Sequence, residues 1–517
     1  MNTRNRRDFL ADVGRGMLVA SLGSATAFEL GLAPCLAEES GERLTFGQLE
    51  PLVSLLQETA ADKLLPVLVA KLQTGADLKT LVTAAALANA RAFGGQDYTG
   101  YHTFMALMPA YQIAGELSTQ RQALPVLKVL YRNSSRIQEQ GVQHRDILHP
   151  MQAAELTEAS RGGELLRDAV RAVDWDGAEL CFASIVKGSS DDTYNQLQLV
   201  IEDEADVHRV VLAWRAWAML GLCGAENAHT LLRQSVRYCL NTEQSLRDQS
   251  RPRSTVRELL PRLLDQYHLL SKPLGNRQAD DRAVEHLARA IFSGTREQAA
   301  DAAANALADG MHFEAVGEAI SLAANLLVLH DPGLRAENSS PQKPPGCVHG
   351  SSVGVHASDA ANAWRNIARV GNPRNQVASL IVGAFHTAGQ SGFVTNDPFP
   401  YAEILEKLDA TESDKLLTQA EEAIQHNDQA RACAVMHRYG ELGLPPRPVF
   451  DLLVKYAVSE DGALHAEKYY RTVTEEFTTT RSAFRWRQLV ALARVTASEK
   501  GFPAPGYAEA CELLGVS

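Results

Sequence analysis

From residue 44 to residue 517 apolar side chains recur at spacings of three and four, as in LEPLVSLLQETAADKLLPVLVAKL near the start and RSAFRWRQLVALARV near the end. That period lines one face of a 3.6-residue turn and predicts amphipathic helices. Alanine and leucine fill the apolar stripes, β-branched runs are scarce, and no stretch alternates in the manner of a strand. Glycine, proline and acidic clusters interrupt the pattern about every 15 to 25 residues, which is the punctuation of helix ends. The expected fold class is all-α.

The helical pattern repeats itself at long range. LQTGADLKTLVTAAALANAR and LADGMHFEAVGEAISLAANL share a glycine turn and an alanine-rich helix, and GYH at His102 matches GVH at His356. Further on, DWDGAELCFA with Cys181 matches QHNDQARACA with Cys433, and EDEADVH at His208 matches SEDGALH at His465. The three offsets are 254, 252 and 257 residues, and the histidines of each half stand 106 and 109 residues apart. Near-constant offsets predict a tandem duplication: helical repeats forming two related lobes, either a superhelix or a closed α-array. The expected organisation is a leader at 1–37, a first lobe at 44–245, a helical linker at 246–295 and a second lobe at 296–517. An insertion, LLVLHDPGLRAENSSPQKPPGCVHGSSVG, reads as a long surface loop from its Pro, Gly and Ser content.

The leader changes the expected compartment. NRRDFLADVGRGMLVASLGSATAFELGLAPCLAEE carries Arg6 and Arg7, then Phe9 and Leu10, then a modest apolar stretch that ends in small residues. This resembles a twin-arginine (Tat) export signal, which implies the Tat translocase as a partner and a periplasmic or secreted location. Cleavage is expected after Ala37; lipidation at Cys35 is disfavoured by Pro34 directly before it. The apolar core of about 13 residues is too short to span a bilayer, and no later segment is long enough. The formal charge of −12 repels phosphate backbones, and with no basic stripe interleaved by aromatics, nucleic acid is excluded as a partner. Seven cysteines contain no C-x-x-C pair, which removes zinc-ribbon, thioredoxin and covalent c-type haem readings and leaves buried thiols.

Candidate chemistry collects on four histidines. His102, His208, His356 and His465 each follow a turn rich in Gly, Asp or Glu, which is how a helix start is written. The positive end of the helix dipole there keeps an imidazole neutral, able to accept a proton or bind a metal. Ala106 and Ala360, four residues beyond His102 and His356, leave those rings room on their own helix face. The competing expectation is that each histidine only ties a turn to its neighbour. Cys347, His349 and His356 in GCVHGSSVGVH form a second candidate metal set. His330 and His386 read as core residues, His144 and His149 as solvent-exposed, and Trp214 and Trp364 as interface anchors beside Arg215 and Arg365. No G-x-S-x-G in a strand-to-helix setting, P-loop or H-E-x-x-H is present.

GVHASDAANAWRNIARVGNP and LHAEKYYRTVTEEFTTTRSAFRWRQLVALARVTASEKG resemble segments of uncharacterised Tat-exported proteins of planctomycete-type bacteria, a family that implies no particular activity. The repeated helix-start histidines are also remotely similar to questin oxidase-like proteins, which act on polycyclic aromatic ketones, although no continuous motif is shared. The expected function is an exported helical protein with a histidine-lined pocket between its lobes, an oxidoreductase acting on a small organic ligand with a metal, a haem or no cofactor. The alternative is a non-catalytic helical scaffold or ligand-binding protein.

Overall fold

The computed structural model describes residues 43–140, 146–151, 153, 161–271, 273–350 and 352–516. The proposed leader, Cys35 and His144 lie outside the described residues. Among those described the chain is all-α: 23 helices, with three isolated bridges and no strand. None of these helices is long and apolar enough to cross a membrane.

In the N-terminal half the helices are α1 (Glu50–Glu58), α2 (Ala61–Gln73), α3 (Leu78–Phe93), α4 (Tyr98–Ala114) and α5 (Leu124–Glu139), followed by α6 (Gly162–Ala172), α7 (Trp175–Ile185), α8 (Ser190–Ile201), α9 (Val207–Cys223) and α10 (Ala228–Asp248). Three helices follow: α11 (Val256–Gln266), α12 (Asp281–Ser293) and α13 (Arg296–Ala308). The C-terminal half continues with α14 (Phe313–Leu329), α15 (Val353–Val370), α16 (Pro373–Ala388), α17 (Ala402–Glu406) and α18 (Ser413–Gln425). It ends with α19 (Gln429–Glu441), α20 (Arg447–Ser459), α21 (Ala466–Thr479), α22 (Trp486–Glu499) and α23 (Tyr507–Leu514).

Packing in the two halves runs in parallel. α4 packs on α3 and α5 as α15 packs on α14 and α16; α9 packs on α8 and α10 as α21 packs on α20 and α22. At the centre, α4 touches α9, α9 touches α15, α15 touches α21 and α21 touches α4, so these four helices close a ring. Two glycines explain the recurring G-x-H motif. A Cβ at Gly100 would run into the Phe93 ring, and one at Gly354 would strike the backbone at Val328, so only glycine lets α4 and α15 lie this close to the preceding helix. The segment expected as a linker contains α11 and α12, and α12 packs on α13 and α14 of the second half.

The halves are also joined by a buried charge. Lys128 on α5 spends all three of its protons on second-half groups: the carbonyls of Ala457 (3.0 Å) and Glu460 (2.6 Å) and the carboxylate of Glu467 (3.0 Å). Both side chains of the pair are buried. Lys128→Met strands the Glu467 carboxylate, so a loss of about 3–5 kcal/mol is expected, read as a fall in the urea midpoint.

The inserted loop departs from its expectation. Residues around Arg335–Asn338 are exposed, but Cys347, Val348 and His349 are buried, because the Ser498 hydroxyl accepts from the Val348 amide (2.9 Å) and bonds the His349 ring (3.1 Å). The six described cysteines are free, and five of them are buried.

Candidate functional site

The four helices of the central ring each bring one histidine to a common point, and their caps say why. Asp97 accepts from the Gly100 amide (2.7 Å) and starts α4; Asp206 accepts from Arg209 (2.8 Å) and starts α9; Ser352 accepts from Val355 (3.2 Å) and starts α15. These caps satisfy helix-end amides that would otherwise be orphaned. His102, His208 and His356 fall within the first five residues of their helices, and His465 is itself the residue before α21.

His465 is delivered by a strained turn. Gly462, Ala463 and Leu464 all adopt positive φ, at 51°, 50° and 67°. Two consecutive non-glycine residues in the left-handed region cost about 1–2 kcal/mol each, and such strain persists where surrounding structure fixes it. The fixing contacts are the Asp461 amide to the Phe502 carbonyl (2.9 Å) and the Ala504 amide to the Ser459 carbonyl (2.8 Å).

The rings form a closed quartet. Centroids of His102 and His208 are 4.7 Å apart, His208 and His356 5.7 Å, His356 and His465 4.7 Å, and His465 and His102 5.2 Å. The two pairs drawn from within one half share the 4.7 Å separation, while the 61° interplanar angle is common to them and to the His102–His465 pair. Ligand nitrogens of His102, His208 and His356 lie within 4.8 Å of one another, the one group among the described residues with metal-binding spacing.

Hydrogen bonds set the tautomers. The Nδ1 atoms of His102, His356 and His465 lie 2.7, 2.9 and 2.8 Å from the carbonyls of Tyr98, Ser352 and Ala463. A carbonyl only accepts, so each Nδ1 carries the proton and each Nε2 keeps a free lone pair. The Nε2 atoms of His102 and His208 are buried with no hydrogen-bond partner. An imidazole whose Nδ1–H is tied to backbone and whose Nε2 is orphaned is oriented as a metal ligand. Burial keeps all four rings neutral: it drives His208 and His356 down to about 3 and His102 and His465 well below the ordinary histidine value. The Lys468 ammonium adds to the depression at each ring.

One side of the quartet is aromatic. Tyr98 stands 4.3 Å from His102 and 5.7 Å from His208, and Tyr101 stands 5.0 and 5.4 Å from the same rings. The Tyr238 hydroxyl, beside Tyr101, donates to Asp206 (2.9 Å). Further along the same helices stand Lys468, Asp359 and Arg215, all buried. The sequence alone did not assign these residues to the site, yet their register was visible. Tyr98 precedes His102 by four, Asp359 follows His356 by three, Lys468 follows His465 by three and Arg215 follows His208 by seven, all same-face helical spacings.

The second metal set predicted from sequence does not assemble. Cys347 Sγ lies 3.0 Å from His349 Nδ1, but His356 belongs to the quartet instead. Gly350, at φ 65°, turns the chain between them. His386 is a core residue as expected, accepting from the Trp364 indole (3.2 Å). His330 is half-buried at the end of α14, and His149 is half-buried with its carbonyl held by Arg233 (2.8 Å), less exposed than its sequence suggested. Arg365 pairs with Glu314 and Glu476, whereas Arg215 finds no carboxylate at ion-pair distance among the described residues.

Fold and site together define an all-helical chain built round a buried histidine cluster. The chain matches no family model, no curated protein and no solved structure.

Proposed function

We propose that the chain is a metal-binding protein in which His102, His208, His356 and His465 hold one first-row transition ion, and that this ion carries redox chemistry on a small ligand. The observation that carries the reading is the pair of orphaned Nε2 atoms inside a ring of neutral imidazoles. Burying a polar atom without a partner costs about 1–3 kcal/mol, and an ion on those lone pairs removes the cost. An all-imidazole donor set with no thiolate or carboxylate suits copper, nickel, iron or zinc; His102, His208 and His356 already have their ligand nitrogens within 4.8 Å of one another, and His465 would close the set. Contacts of 4.7 to 5.7 Å between ring centroids leave no slot for a porphyrin between the rings, which argues for a bare ion over haem.

The parallel packing of the two halves and the matched geometry of the 102–208 and 356–465 pairs support a duplicated origin. Two copies each supplying two imidazoles would meet across a pseudo-two-fold axis. Export through the Tat route, read from residues 1–37, fits a chain that takes its ion before leaving the cytoplasm.

The test is metal uptake by the full chain after chelator treatment. Titration with copper(II) is expected to saturate at one ion per chain, with a visible d–d band and a reversible one-electron reduction. No stoichiometric uptake of copper, nickel, zinc or iron overturns the reading and leaves a helical scaffold. Uptake without reversible reduction removes the redox part.

A further inference from the structure

One helical turn beyond His465 and His356, and two beyond His208, lie polar groups that metal binding does not use. On α21, Lys468 is 2% exposed, makes no hydrogen bond and has no carboxylate at ion-pair distance among the described residues. On α9, Arg215 is 3% exposed, and its Nε is buried without a partner. On α15, Asp359 is 4% exposed, and its carboxylate accepts from the Thr472 hydroxyl (2.8 Å). The three sit on the same faces as His465, His208 and His356, and Lys468, which acts on all four rings, is the member of this storey nearest the quartet. They sense one another: Lys468 and Arg215 both pull the Asp359 carboxyl down against the upward push of burial.

The charge in this storey does not close. The two buried cations feel Asp359, Glu467 and Glu475, but Glu467 is already paired with Lys128 at 3.0 Å and Glu475 with Arg471 at 2.9 Å, which leaves Asp359 alone to both of them. Beside a metal ion the excess is worse, because an ammonium and a divalent cation repel each other across a medium with little water to screen them. A buried ammonium without a partner next to a metal site either gives up its proton or keeps it by taking something negative between itself and the metal.

We propose that the storey is an anion site: the metal's external ligand is a small inorganic monoanion, bound to the ion at one end and received by the Lys468 ammonium at the other, with Arg215 reinforcing the positive field. Asp359 and its Thr472 hydroxyl hold the second layer in register and keep out larger, doubly charged anions by repulsion. The inference rests on the quartet holding a metal ion.

Azide is a suitable probe because its bond to copper(II) gives a charge-transfer band. The copper-loaded full chain is titrated with azide and followed by that band and by copper EPR. Lys468→Met is expected to weaken azide at least tenfold while copper affinity stays within threefold of the parent. Lys468→Arg, which restores the cation, is expected to recover most of the affinity, and sulfate is not expected to compete. Removing an unpaired buried charge favours folding, and a melting curve on Lys468→Met, with Lys468→Leu as the second variant, checks this. Copper uptake with unchanged azide affinity in both apolar variants overturns the anion site alone. A chain that takes up no copper overturns this inference together with the metal reading.

Discussion

Replacing His102 and His356 together by alanine is expected to weaken the affinity for copper(II) or zinc by at least a thousandfold and to leave the helical content intact. Their loss removes two of the three imidazoles whose ligand nitrogens lie within 4.8 Å of one another and leaves only His208 and His465. Disturbing a residue that merely orients a ligand costs about 10- to 100-fold in metal affinity, and removing two ligands outright exceeds that. The stability of the metal-free chain should change little. Truncating a buried ring forfeits packing, but the change also removes the orphaned Nε2 of His102, whose burial without a partner costs about 1–3 kcal/mol. Competition against a chelator of known affinity measures the first quantity and thermal melting the second. If the histidines only tie turns together, the pattern reverses: metal affinity is unaffected while the melting temperature falls by ten degrees or more.

How far this site could be read from letters follows from which interactions are local. The G-x-H motif and the near-constant offsets pointed to four equivalent positions, and the structure closes those four into one ring. Local signals of that kind survive because a cap, a turn and a helix phase are written within a few residues. What failed to show was long-range or backbone-borne. Nothing near Lys128 announces a carboxylate more than three hundred positions away. Ala463 and Leu464 are not residues that advertise positive φ, so the turn presenting His465 is set by its anchors at Phe502 and Ala504. Cys347, His349 and His356 share a short stretch of sequence, yet Gly350 sends them to different places, and proximity in the chain misled. The inserted loop looked like a surface feature from composition alone; its last residues are buried because Ser498 offers a hydroxyl to them. Lys468, Asp359 and Arg215 were visible as same-face neighbours of the histidines, but only knowing which face is central gives that spacing meaning.

The metal-free chain is expected to unfold cooperatively as the pH falls through about 5. Depressed imidazoles drive it: loss of water holds His208 and His356 down at about 3 and His229, His349 and His386 at about 4, and His102 and His465 well below the ordinary value. An unfolded histidine takes its proton near 6.5, so between 6.5 and the folded values the unfolded state binds more protons and stability rises with pH. Each group therefore contributes fully above about 6.5 and loses its contribution as the pH drops. Four carboxyls oppose the trend, because burial pushes Glu202, Glu204, Asp359 and Glu499 up. Glu499, pushed up to about 8 by burial, is protonated in the folded chain over a window where the unfolded chain is ionised, so it favours the fold increasingly from pH 8 down to about 4.5. A tenfold difference in proton affinity between folded and unfolded chain is worth about 1.36 kcal/mol, so the five imidazoles at about 3 and 4 outweigh Glu499 by roughly 9 kcal/mol at pH 4.5, of which Glu202, Glu204 and Asp359 take back a part. That is comparable to the whole stability of a typical domain, about 5–15 kcal/mol. Helical circular dichroism against pH measures the midpoint, and His386→Phe, which removes one titrating ring that accepts from Trp364, should shallow the slope. A bound ion must leave before the quartet can be protonated, so the loaded chain is expected to unfold at lower pH than the metal-free one. A metal-free chain whose urea midpoint at pH 4 equals that at pH 7 would mean these imidazoles are open to water, contrary to the packing that brings them together.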